Sequence, residues 1–227
     1  KHDGIAFTPR YGKAVEINAL WYSNLCCMGE YYRDKNPDSL NFYREITEQV
    51  RLSFEKQFWN ESRGYLNDCI LPAGKADESL RPNQIFAVSL PFTPLSIEQA
   101  QKVVSIVEKK LLTPYGLRSL APDDPRYKHR CTGSMGQRDA AYHQGTVWAW
   151  LIGPFIEAYL KVHGFHPTAK RQCRSFLAPL LQHLEMDGCV GNISEIFDGD
   201  KPHHPRGAFA QAWSVAEVLR AWQMCKE

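Results

Sequence analysis

Ile17-Asn18-Ala19-Leu20-Trp21-Tyr22-Ser23-Asn24-Leu25-Cys26-Cys27-Met28 decides the fold class. Ile17, Leu20, Trp21, Asn24, Leu25 and Met28 fall at i, i+3, i+4, i+7, i+8 and i+11, one face of a helix. The same period recurs outward along the chain. Tyr43, Ile46, Val50 and Phe54 mark a helix after Pro37-Asp38. Ala100, Val103, Val104, Val107 and Leu111 mark another, starting near Ser96 and ending before Pro114. Leu177, Leu180, Leu181 and Leu184 mark one more, stopped at Asp187-Gly188. Two stretches, Tyr142 to about Val162 and Gly207 to about Met224, are apolar on more than one side, which predicts helices buried all round. Period-two alternation is scarce, and only Val190 to Ile193 reads as extended. The expectation is an all-α fold of inner and outer helix pairs.

With 227 residues the chain can bury a core of one domain. A net charge of +2 with mixed signs excludes the concentrated basic patch that nucleic acid or a membrane surface needs. No apolar run approaches the roughly 18 residues of a spanning helix, so no membrane partner is expected. Seven cysteines, an odd count without a Cys-x-x-Cys pair, suit a reducing, cytoplasmic compartment. Aromatics reach 12%. Most belong in a core, and the remainder could stack on sugar faces.

Four segments share a polar, turn-prone entry into an apolar helix. They begin at Thr8-Pro9-Arg10, Leu80-Arg81-Pro82-Asn83-Gln84, Arg138-Asp139 and Pro205-Arg206-Gly207. If the inner helices run parallel in a ring, these entries gather at one end. Glu16, Asn18, Arg81, Asn83, Gln84, Arg118, Asp139, His143, Gln144 and Glu195 would then line one cavity. Glu195, in Gly191-Asn192-Ile193-Ser194-Glu195-Ile196-Phe197-Asp198-Gly199-Asp200, is a loop carboxylate placed for acid–base work or simply solvated. Tyr142-His143-Gln144-Gly145-Thr146-Val147-Trp148 offers groups that both donate and accept, as hydroxyl-rich ligands require, or else satisfied core polar residues. Arg81 and Arg118 could grip hydroxyls or pin a carboxylate. His203 and His204 beside Asp198 and Asp200 match no metal-ligand spacing, and no Gly-rich nucleotide motif is present, so no cofactor or metal is expected.

Several blocks resemble the glucosidase region at the C-terminal end of the glycogen debranching enzyme family. They are Phe7-Thr8-Pro9-Arg10 with Gly12 to Tyr22, Leu80 to Gln84, Thr113 to Leu120, Arg138 to Trp148, Ile152 to Phe155, Ser194 to Gly199 and Ala210 to Val215. They follow one another over nearly the whole chain. The resemblance implies an (α/α)6 toroid, amylo-α-1,6-glucosidase activity on glycogen or another branched α-glucan, and inversion by two carboxylates. It carries the general base onto Glu195, with Tyr142, His143, Gln144, Trp148, Arg81 and Glu16 holding the sugar. In that family the general acid is an Asp in a Thr-Trp-Met-Asp segment slightly ahead of the Thr-Pro-Arg block. Asp3 does not match it. Residues 1–227 are therefore expected to be the C-terminal part of a single catalytic domain, lacking its N-terminal helices, with the acid upstream of residue 1. Two alternatives stay open on the residues alone: a glucan-binding module without chemistry, and a glucoamylase-like α-1,4 hydrolase.

Overall fold

The computed structural model describes residues 4–226; Asp3 lies outside them. The chain is mostly helical, 52% by residue, with eight α-helices and short strands among the described residues. It divides into two compact units. One is Arg10–Ser105; the other joins the N-terminal residues up to Pro9 to the chain from Ile106 onward.

In the first unit β1 (Lys13–Ala14) leads into α1 (Val15–Tyr32), and α2 (Pro37–Phe58) packs against α1. The start of α2 is written in the sequence. Pro37 occupies the first turn, where its missing N–H costs nothing, and the Asn36 side chain accepts from the Ser39 N–H at 2.9 Å. Helix α1 is buried through Val15, Ala19, Tyr22, Ser23 and Leu25. Of the stripe predicted from sequence, Ile17, Leu20 and Trp21 are 59%, 41% and 51% exposed. The helix carries apolar residues on two sides, and the side bearing the smaller Val15 and Ala19 is the one that packs. Strands β2 (Trp59–Asn60) and β3 (Tyr65–Leu66) form a hairpin. Strands β4 (Cys69–Ile70) and β5 (Ala76–Asp77) form with β1 an antiparallel sheet ordered β1-β4-β5. A 3-10 turn, Pro82–Ile85, feeds the short α3 (Phe86–Ser89), as the Pro82 entry predicts. Helix α4 (Ile97–Lys110) opens with Ser96 and Gln99 capping each other reciprocally at 3.2 and 3.0 Å. Its expected face, Ala100, Val103, Val104 and Val107, is buried. The division between the units falls inside α4.

In the second unit β6 (Leu112–Thr113), β7 (Gly116–Arg118), β8 (Val147–Trp148), β9 (Ile196–Phe197) and β10 (Pro205–Arg206) make an antiparallel sheet ordered β10-β9-β8-β7-β6. Val147 pairs with both Arg118 and Phe197, and Trp148 with both Leu117 and Ile196. Strands of two or three residues leave no period to read, which is why the sequence suggests almost none. The one extended stretch it does suggest, Val190 to Ile193, is turn and bend. Between β7 and β8 lies α5 (Met135–Tyr142), opened by a Ser134/Gln137 capping box. The predicted long helix from Tyr142 is interrupted. At Gly145 φ is +133°, and a Cβ there would lie 2.4 Å from the Lys128 carbonyl oxygen. The chain passes through β8 and a 3-10 turn before α6 (Ile152–Val162) begins.

Helix α6 is the core of this unit. Ile152, Phe155, Ile156 and Leu160 have no exposed surface, each worth about 1.5–3 kcal/mol in burial. A Cβ on Gly153 would meet Glu217 Oε2 at 1.8 Å, so glycine lets α8 (Ala212–Met224) lie close. Helix α7 (Pro167–Met186) packs on α6 through Cys173, Leu177 and Leu180 on a stripe that ends at His183. No helix among the described residues is long and apolar enough to cross a membrane.

Candidate active site

The sheet of the second unit brings Glu195 beside Tyr142. Glu195 immediately precedes β9, and its backbone N–H donates to the Ala208 carbonyl at 2.9 Å, extending the β9–β10 pairing. Its carboxylate is held from both sides. Tyr142 Oη donates to Oε1 at 2.6 Å, and the Ala208 N–H donates to Oε2 at 2.9 Å. Both donors are uncharged. Burial, then the hydrogen bond and charge of Glu195, push the Tyr142 phenol well above its ordinary value, so it stays protonated as the donor. Gly207 turns with φ +68°, and a Cβ there would lie 2.3 Å from Glu195 Oε2. The turn thus needs glycine twice, for its angle and for the space the carboxylate takes. Glu195 itself is half-buried, open on one side.

Tyr142 is fixed by rings. Trp148 meets it edge to face at 4.7 Å and donates from Nε1 to the Tyr142 carbonyl at 3.0 Å. His143, exposed, stacks on Trp148 at 5.2 Å with the planes 7° apart. Two aromatics not anticipated from sequence complete the surroundings. Trp213, 46% exposed, meets Trp148 at 6.2 Å and stacks on Trp150 at 5.1 Å. Phe209, 71% exposed, follows the Ala208 that bonds Glu195. Their signal was spacing within the Gly207–Met224 stretch, where apolar content alone reads as core.

Two other candidates in this unit bond the backbone. Gln144 is buried and donates from Nε2 to the Phe7 carbonyl at 2.9 Å. Arg118 donates from Nε to the Gly199 carbonyl at 2.8 Å. Asp139 is half-buried on α5 and adds its charge to the rise of Tyr142. Asp198, buried, accepts from Arg206 at 2.9 Å and from the Cys131 N–H at 3.0 Å. His203, also buried, has Nδ1 2.8 Å from the Asp198 carbonyl oxygen. No group of three or more metal-ligating side chains forms among the described residues.

In the first unit Glu16 is taken by Arg10, which grips it with two bonds of 2.6 Å and reaches Asp68 at 2.5 Å. Arg81 lies 3.8 Å from the same Asp68 carboxylate, and Asn83 Nδ2 donates to its other oxygen at 3.3 Å. Burial works against the Arg10 charge, yet Glu16 and Asp68 together outweigh it and raise its pKa. Asp68 was missed from sequence, although two arginines in loop positions are a sign that a buried acid is needed. Gln84 is buried, accepting from the Leu66 N–H at 3.3 Å and donating to the Arg81 carbonyl at 3.1 Å. Asn18 donates back to the Ala14 carbonyl at 2.8 Å. Beside it a groove of about 310 Å³ runs between α1 and α2, with Trp21, Gln49 and Gln57 on its walls.

Residues 1–220 match a family model described as amylo-alpha-1,6-glucosidase. The glycogen debranching enzyme of Saccharomyces cerevisiae is 29% identical over 212 residues, covering 76% of this chain and 13% of that relative. The chain thus spans a small part of the length of the curated relative it matches. Among solved structures, neutral trehalase Nth1 from Saccharomyces cerevisiae aligns with a TM-score of 0.69 at 16% identity, over 93% of this chain and 38% of the other. GH63 mannosylglycerate hydrolase from Thermus thermophilus, in complex with glucose, aligns with a TM-score of 0.65 at 18% identity, over 92% and 47%. At such identities the likeness speaks for the fold, which is of the (α/α)6 toroid class.

Proposed function

This chain belongs to the amylo-alpha-1,6-glucosidase family of glycoside hydrolases, and from that premise we propose that it forms the C-terminal part of a single catalytic domain that releases α-1,6-linked glucose from glycogen or limit dextrin with inversion. Glu195 acts as the general base. The observation that carries this reading is the hold on Glu195: a carboxylate gripped by the Tyr142 hydroxyl and the Ala208 N–H, with no cation on it in the described contacts. A general base needs a fixed carboxylate with room for a water beside it, and two neutral donors fix this one while its remaining side stays open.

Glu195 takes a proton from water, and that water attacks the anomeric carbon from the face opposite the leaving oxygen. The leaving oxygen takes its proton from a second carboxyl group, across the sugar from Glu195. Inversion sets the two carboxyl groups roughly 6.5–9.5 Å apart, enough to seat the water. Tyr142, His143 and Trp148 meet the sugar beside Glu195. The compartment is cytoplasmic, where branched glucan stores are handled.

Proton NMR of the first-formed product tests the reading in the full-length protein, with an α-1,6-glucosyl-branched maltooligosaccharide as substrate. The expected result is β-glucose, released from the branched substrate and not from a linear α-1,4 oligosaccharide. First-formed α-glucose would sink the inverting mechanism, and equal turnover of the linear substrate would sink the α-1,6 assignment.

A further inference from the structure

We propose that His183, on the helix just ahead of the Glu195 segment, is a positioning residue for Glu195; the inference rests on Glu195 being the general base. His183 lies in the last turn of α7 and is 3% exposed. Its Nε2 is 3.3 Å from the Ser194 backbone nitrogen and 3.1 Å from Ser194 Oγ. A backbone N–H can only donate, so Nε2 must be an unprotonated acceptor. The ring hydrogen then sits on Nδ1, which lies 3.4 Å from Asp187 Oδ2 without making a hydrogen bond. The bond at Nε2 ties the imidazole to the amide immediately before that of Glu195.

The packing leaves the ring one orientation. Phe197 meets it edge to face at 5.0 Å and Tyr115 at 6.1 Å, while Tyr115 stacks on Phe197 at 4.5 Å. On the remaining side Gly188 turns with φ +60°, and a Cβ there would press on both His183 and Ser194 Oγ at 3.2 Å. The segment Ser194–Phe197 is thus held by α7 on one side and by Ala208 on the other. Ser194 N–H goes to His183, and the next amide, Glu195 N–H, goes to the Ala208 carbonyl. Two consecutive amides bonded in opposite directions fix the Glu195 Cα, and the Tyr142 and Ala208 donors then fix its carboxylate.

Ser194, His183 and Asp187 also lie in the order of a nucleophilic triad. Burial decides against that role: Ser194 is 1% exposed, and its hydroxyl is spent on the imidazole inside the packing. The constellation holds a backbone segment in place.

The test compares His183→Gln, His183→Asn and His183→Leu in the full-length protein on the branched maltooligosaccharide, with Glu195→Gln run alongside. The Gln Oε1 reaches the position of Nε2 and can accept the Ser194 N–H; Asn is too short, and Leu has no acceptor. Expected is kcat within about threefold of wild type for Gln and about tenfold lower for Asn and Leu, with KM within about threefold throughout. If the Leu variant fails to fold, the Gln and Asn pair carries the comparison. Equal kcat for Gln and Asn overturns the inference. Wild-type turnover in Glu195→Gln would remove the base assignment instead, whatever the His183 series gives.

Discussion

Two carboxylates, Asp68 in the first unit and Glu195 in the second, are both fixed by hydrogen bonds and yet are held in opposite ways. Asp68 is 2% exposed, bonded to Arg10 at 2.5 Å and facing Arg81 at 3.8 Å. Burial lifts its pKa against the pull of those two guanidiniums. Glu195 is half-buried and receives a phenol and a backbone N–H, neither charged. A carboxylate locked to guanidinium in the interior is a structural element, and removing it takes away a charge that two arginines face. A carboxylate steadied by neutral donors at an open edge has a side left for a water. The character of the partners therefore separates scaffold from chemistry more sharply than the residue type does.

The largest break in this comparison should come from Asp68→Asn. It removes the negative charge beside the buried Arg81 and half the grip of Arg10, and should cost about 3–5 kcal/mol of stability by urea unfolding. A loss below about 1 kcal/mol would mean that Asp68 is not the structural partner described here. Tyr142→Phe sharpens the other side. It removes one neutral donor from Glu195 while keeping the ring packed on Trp148. We expect kcat to fall roughly three- to tenfold, within the range for a lost catalytic hydrogen bond, with melting little changed. An unaltered kcat would show that Glu195 does not depend on this donor.

The smallest effect should come from His203→Asn. Burial lowers the His203 pKa below the usual 6.5, against the Asp198 carbonyl that works to raise it. Its neutral form therefore contributes stability that is present above about pH 6.5 and is lost as the pH falls through the lower folded value. Asn accepts the positive φ of 60° found there, so the backbone can be kept. The melting temperature of the variant should fall by about 1–2 °C less than wild type between pH 7 and pH 5. Identical pH dependence in the two proteins would exclude His203 as the titrating group.

The long one-sided helices were legible. Helix α2 begins at the predicted Pro37, α4 begins and ends near the predicted Ser96 and Pro114, and α7 ends at the predicted Asp187, because a single apolar stripe and a polar cap leave one solution. Helix α1 was legible as a helix and not as a face, since Val15, Ala19 and Tyr22 form a second stripe as good as Ile17, Leu20 and Trp21. The sheet around β8 was not legible, because pairs of residues carry no period and only the positive φ of Gly145 breaks the apparent helix. Within the candidate site, Glu195, Tyr142 and Trp148 stood out by resemblance and come together in the second unit. Gln144, Arg118 and Gln84 read equally well as binders, yet their polar groups are engaged by backbone atoms far along the chain. Asp68 and His183 were invisible because their partners are set by tertiary packing alone.

The most direct test of the central claim is azide rescue of Glu195→Ala in the full-length protein, using α-glucosyl fluoride, whose leaving group needs no acid. The account predicts turnover lowered by about 10²–10⁴-fold without azide, and restored with azide as β-glucosyl azide formed by single displacement. Wild-type turnover without azide, or an α-configured azide product, would contradict it.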